Sequence, residues 1–257
     1  MDTKMIHKKS QVTIFVILAI LLVAGIILVI FLKGRQVIEV FKPSMPNIQG
    51  YIESCTKDAT KQAIDIMLLQ GGYITPENYK MYKDNKVQYL CYQKNYYKTC
   101  VNQQPLYTEY LEKEIKKYIE GKIEDCFYSF KQEYEKKGYQ ISLSGKGLKV
   151  ELAPKQARIE IEKEVSIKRN EEARNYDKFK IIVLSPIYDL AVIAQEIINQ
   201  EAKFCYFEYL GFSLLYPEYA IEKIDIDGET KIYLIEEKSS GKTLVFAVRS
   251  CAMPGGI

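Results

Sequence analysis

The spacing of apolar positions changes character along this chain, and each change marks a different kind of element. Val12 to Leu32 is a run of twenty-one residues without a charge, apolar on every side. As a helix it is about 31 Å long, close to the hydrocarbon thickness of a bilayer. A core helix keeps a polar face, and a secretory h-region spans only about 7–15 residues, so this run predicts a transmembrane helix. The helix is expected to continue through 33–41 until Pro43 and Pro46 remove donors and push their neighbours toward extended backbone.

From Asn47 the pattern is that of an amphipathic helix. Ile48, Ile52, Cys55, Ala59, Ala63 and Met67 share a face, Asn47 is a suitable cap, and Gly71-Gly72 is the stop. A second amphipathic helix fits Leu106 to Lys136, with Leu111, Ile115, Tyr118, Ile119, Ile123, Cys126, Phe127, Phe130 and Tyr134 in one stripe, Pro105 before it and Gly138 after it. Between the two, Val87–Tyr92 and Tyr96–Val101 read as a short hairpin about Gln93-Lys94-Asn95. From Tyr139 the period drops to two: Tyr139–Leu143, Leu148–Leu152, Ala157–Ile167 and Phe179–Leu184 alternate, with turns at Ser144–Gly147, Ala153-Pro154 and Arg169–Asn175. On this reading Glu160, Glu162, Glu164, Lys163 and Lys168 form a solvated charged face. Pro186–Lys203 returns to helical spacing. Ala220–Asp227, Lys231–Glu236 and Thr243–Arg249 then read as three strands joined by Asp227-Gly228 and Ser239-Ser240-Gly241 turns.

These elements predict an α+β fold: one N-terminal transmembrane helix, then a helical hairpin, then antiparallel β-meanders with a covering helix. The divisions fall at a cytoplasmic head 1–11, a span 12–32, a juxtamembrane extension and proline hinge 33–46, a helical hairpin with a tyrosine-rich insertion 47–138, and a sheet region 139–257. Lysines flank the span on both sides, so the short head and long tail set the expected orientation, with the N-terminus cytoplasmic and the C-terminal part outside the cell.

Charge narrows the partners. Three of the 36 basic and one of the 33 acidic residues precede Lys33, leaving thirty-three against thirty-two beyond the span. That balance, interspersed along the chain, gives no concentrated basic surface, and no nucleic-acid partner is expected. All six cysteines, Cys55, Cys91, Cys100, Cys126, Cys205 and Cys251, follow the span. An even number on the outer side reads as disulfides; six buried thiols and a zinc site are the alternatives, the last weakened by the lack of Cys-x-x-Cys. Facing stripes of the two amphipathic helices pair Cys55 with Cys126, the hairpin pairs Cys91 with Cys100, and elimination leaves Cys205 with Cys251.

Lys8-Lys9-Ser10-Gln11-Val12-Thr13 resembles the class III signal segment of archaeal type IV pilin-like proteins. That resemblance implies a processing site between Ser10 and Gln11. It departs at the fifth mature position, where the pilin pattern has Glu and this chain has Phe15; the family's carboxylate helps dock a subunit into its fibre. Tyr51–Cys55, Gly71–Ile74 and Tyr118–Cys126 are similar to a broader group of archaeal membrane-anchored surface proteins, which implies a surface location and no particular activity.

Candidate chemistry is sparse. Gly241-Lys242-Thr243 ends like a P-loop, yet Glu236 stands where its first glycine belongs. Asp225–Glu229 is too short for a calcium loop and is a turn signal by itself. The one histidine, His7, lies in the head, which removes histidine-based catalysis and histidine zinc sites from the tail. The tyrosine-rich stretch Tyr73–Tyr110 holds nine of the twenty-one tyrosines. Such residues make either a contact surface or the cover of a small sheet. The sequence therefore predicts a single-pass signal-anchored cell-surface protein that acts by protein contacts, is not an enzyme and takes no cofactor. Its partners are the lipid bilayer and other surface or pilus proteins. A processed pilin-like subunit and a surface hydrolase are the alternatives.

Overall fold

The structure, a computed structural model, describes residues 7–34 and 45–254, with side chains from Phe15 to Val29 and from Met45 onward. Helix α1 (His7–Gly34) occupies the apolar run. Every described side chain on it is exposed, from Val16 at 51% to Phe15 at 72% among the large ones. Among the described residues no helix is long and apolar enough to cross a membrane. The ends of the Val12–Leu32 run lie outside the described side chains, as do residues 35–44 of the expected hinge.

The second unit, Asn47–Ile257, contains the two amphipathic helices, with three short strands between them in the chain. In α2 (Ile48–Leu69) the cap acts as its residue type dictates: Asn47 Oδ1 accepts the N–H of Gly50 at 3.0 Å. Its buried face of Ile48, Ile52, Ala59, Ala63 and Met67 meets α3 (Tyr107–Glu135), which buries Leu111, Ile115, Ile119, Ile123, Phe127 and Phe130. Tyr51 and Phe130 meet edge to face at 5.3 Å, and a disulfide joins Cys55 to Cys126 on the facing stripes. The helices are fastened through apolar burial and covalently at one level.

Strands of two sheets pack against these helices, the second sheet against α3 and both against α2. The first contains β1 (Tyr79–Tyr82), β2 (Asn85–Tyr92), β3 (Val101–Asn102), β7 (Tyr219–Ile226), β8 (Thr230–Glu237) and β9 (Lys242–Arg249), in the order β1-β2-β9-β8-β7 with β3 beside β2. The second is the meander β4 (Gln140–Ala153), β5 (Gln156–Arg169), β6 (Glu172–Leu184). α4 (Ile187–Phe204) touches strands of both sheets, as does α2. A short α5 (Tyr209–Leu215) lies against β7.

Several features depart from the sequence reading. The expected strand 96–101 shrinks to β3, because the backbone of 97–98 pairs elsewhere: Tyr97 N–H donates to Ala252 O at 3.0 Å and Cys251 N–H to Lys98 O at 2.8 Å. β2 keeps the expected antiparallel pairing only at Cys91–Asn102 and Tyr92–Val101 and makes its longer hairpin with β1, across Lys83-Asp84, both at positive φ as a tight primed turn requires. The expected turn 144–147 is a register shift inside one continuous β4, and β6 begins at Glu172 within the expected Arg169–Asn175 turn. Lys163 is buried rather than solvated. It shares parity with Ile159, Ile161, Val165 and Ile167 and so faces α3, where its ammonium pairs with Glu124 and lies 5.4 Å from the Phe127 ring centre.

The largest reorganisation is topological. β2 pairs parallel with β9, so the tyrosine-rich insertion and the C-terminal meander form one sheet. Val87, Tyr89, Ile232, Val245 and Ala247 fill one of its faces, while Leu90, Tyr233, Ile235, Leu244, Phe246 and Val248 are also buried.

Loop-closure entropy predicts unequal disulfides. Cys55–Cys126 spans 71 residues and Cys91–Cys100 only 9. Removing the first as a double Cys→Ala variant is expected to cost roughly 2 kcal/mol more than removing the second, read from denaturation midpoints of the full chain in detergent.

Candidate functional site

The Gly71-Gly72 pair stands beside a cleft in the surface. Both glycines have positive φ, and Gly72 N–H closes α2 on Met67 O at 2.7 Å. A Cβ on Gly72 would stand 2.5 Å from both the Tyr107 hydroxyl and a Leu111 methyl, so only glycine passes the first turn of α3 this closely. The chain leaves this turn with Tyr73 against Tyr110 of α3, ring centres 4.5 Å apart. Gln104 Nε2 donates to the Tyr73 hydroxyl at 2.6 Å, and Ile74 N–H donates to Glu114 at 3.2 Å. From β2, Gln88 accepts Glu77 N–H at 3.1 Å. The result is a cleft of about 940 Å³ lined by tyrosines, side-chain amides, two glutamates and Lys117.

Burial dominates the electrostatics here. Desolvation raises Tyr73 above the ordinary phenol range, against the hydrogen bond from Gln104. Tyr110 is pushed higher by desolvation and then by the charge of Glu114. Tyr107 is fully buried beneath them, also raised by desolvation, and its hydroxyl has no hydrogen-bond partner among the described residues. These phenols are neutral donors and acceptors at any physiological pH.

A second polar centre lies in the core. Glu201 of α4 is wholly buried and takes Lys231 Nζ at 2.7 and 3.0 Å, with the Tyr233 hydroxyl donating as well. Lys231 also donates to Cys205 O. Ser250 Oγ donates to Glu201 O at 2.9 Å and accepts Cys100 N–H at 3.1 Å. The Cys205–Cys251 disulfide is thus tied to the Glu201 carboxylate through Lys231, and the Cys91–Cys100 disulfide to the Glu201 main-chain oxygen through Ser250. Nearby Arg249 donates to Gln93 O and Lys94 O and lies 5.0 Å from the Tyr96 ring.

The six cysteines expected as disulfides are paired Cys55–Cys126, Cys91–Cys100 and Cys205–Cys251. Ser10 and Gln11 lie in the first turns of α1, with side chains outside those described. Asp225 caps its own turn by accepting Gly228 N–H at 2.9 Å, and Gly241 sits in a β-turn between β8 and β9. Among the described residues no three His, Cys, Asp or Glu side chains gather as a metal site. A further surface feature follows α4, where Phe204, Leu210, Leu214 and Leu215 are 63 to 84% exposed. Sequence reasoning singled out the tyrosines but not Gln88, Gln104, Glu114, Glu201 or Lys231. Only the glycine pair signalled that backbone and helix come together there.

Comparison with protein-family models, curated proteins and solved structures finds no match to this chain.

Two outcomes follow from these centres. Lys231→Met leaves a buried carboxylate unpaired and is expected to cost about 3–5 kcal/mol, with the K231M/E201Q pair recovering part of it, in a denaturant double-mutant cycle. The raised phenols hold their protons more tightly folded than unfolded. Stability is then complete below about pH 10 and falls as pH rises above it. Tyr110→Phe is expected to flatten that alkaline slope, measured by melting between neutral pH and pH 12.

Proposed function

We propose that this chain is a single-pass membrane-anchored surface protein whose disulfide-bonded ectodomain, on the outer side, acts by protein contacts. The observation that carries the reading is α1. Fifteen consecutive positions, Phe15–Val29, are exposed on every side of the helix and none is charged. In water each of its Val, Leu, Ile and Phe side chains forgoes about 1.5–3 kcal/mol of burial, and a lipid environment supplies it. The three disulfides fit an oxidising compartment for Asn47–Ile257. The exposed Phe204, Leu210, Leu214 and Leu215 are the kind of surface that protein contacts use.

A processed pilin-like subunit is the second reading, supported by the Lys8-Lys9-Ser10-Gln11 segment at the start of the same helix. It buries α1 against other copies rather than in lipid alone. Phe15 in place of the family's glutamate ranks it below the anchor.

The two are separated by the mature N-terminus. The expected result is a chain that stays with membranes through alkaline carbonate washing and whose intact mass begins at Met1. A mass beginning at Gln11, with the chain in sheared filaments, replaces the anchor by the subunit. Recovery from the cytosol without detergent overturns both.

A further inference from the structure

We infer that the cleft between the Gly71–Asn78 segment, β2 and the start of α3 binds a neutral oligosaccharide. This goes beyond the anchored reading and does not depend on it.

Three observations combine. The first is the Tyr73–Tyr110 pair, tilted by 39° with ring centres 4.5 Å apart, both half-buried at the wall of the cleft. An aromatic face with a hydroxyl at its edge suits a ligand that is apolar on one side and hydroxylated around its rim, which describes a pyranose ring. The second is Gln88. It is 5% exposed and lines the cleft, and its Oε1 is spent on Glu77 N–H, whereas its amide nitrogen has no hydrogen bond among the described residues. An amide donor that opens on a cleft is available to an acceptor from a ligand or from water. The third is the rest of the polar lining. Asn78 and Gln104 supply amides, and the Glu77 and Glu114 carboxylates supply acceptors. Side-chain amides and carboxylates present the paired donor and acceptor atoms that adjacent hydroxyls engage.

Size and charge narrow the ligand class. At about 940 Å³ the cleft is near the top of the range for small-molecule sites, about 300–1,000 Å³, with room for more than one sugar ring. Its charged lining is Glu77, Glu114 and Lys117, one net negative charge, so a nucleotide, a phosphosugar or a sulfated or uronic glycan meets repulsion. The abundance of amides and charges disfavours a fatty or aromatic ligand that offers them no partners.

The test uses the full chain in a detergent without a sugar headgroup, since a glycoside detergent would compete. Saturation-transfer NMR is run with neutral pentasaccharides of glucose, mannose, galactose and N-acetylglucosamine, with a sulfated glycan, and with a tyrosine- and glycine-rich peptide. The expected result is saturable binding of at least one neutral pentasaccharide, weakened about tenfold or more by Tyr110→Ala, a loss typical of one aromatic contact. Asn78→Ala, on an exposed side chain, is expected to weaken it several-fold with an unchanged melting temperature. It serves as the independent variant should Tyr110→Ala disturb α3. No neutral pentasaccharide bound, tighter binding of the sulfated glycan, binding of the peptide alone, or sugar binding indifferent to Asn78→Ala and to a folded Tyr110→Ala each overturns the proposal.

Discussion

The parallel pairing of β2 with β9 holds the rest of Asn47–Ile257 in place. A parallel pair cannot be closed by a tight turn and needs a crossover. Here the connection from Tyr92 to Lys242 contains α3, the whole three-stranded meander, α4 and β7–β8. The same pairing brings the tyrosine-rich segment, by itself a marginal hairpin, onto a strand buried over most of its length. Loop 93–100 and the C-terminal residues 249–252 then meet, and Arg249, Ser250 and Cys251 bond to that loop through Gln93, Lys94, Lys98 and Cys100.

Local patterns were legible wherever one interaction decided the element. The stripes of α2 and α3, the Asn47 cap and the three C-terminal strands follow from side-chain period and turn residues alone. What could not be read locally was pairing between distant segments. Tyr97 and Lys98 look like strand residues, yet their backbone groups go to the tail, and nothing within 96–101 announces it. Lys163 shows the converse. Its parity with Ile161 and Val165 was visible in the sequence, and charge alone placed it on the wrong face. The cleft was half legible: tyrosine density pointed to the region, while Gln88 and Glu114 join it only because β2 and α3 converge behind Gly72.

Among the described residues, buried charge is used sparingly and with a partner. Lys163 answers Glu124, and Lys231 answers Glu201. Such pairs add little net stability over apolar replacements, but each penalises any packing that separates its members. Glu201 binds Lys231 and Tyr233 of β8 with its carboxylate and Ser250 Oγ with its main-chain oxygen, so α4, β8 and the two disulfide-bearing loops are held in register better than apolar contact alone would hold them.

The order β1-β2-β9-β8-β7 leaves the first sheet with open margins. On the β1 side that margin is only four residues long, and Lys80, Lys83 and Lys86 stand on the strand, its turn and its partner. Short, cationic borders resist being lengthened by a neighbour's backbone. Neighbouring copies would therefore repel at this rim instead of fusing into a continuous ribbon.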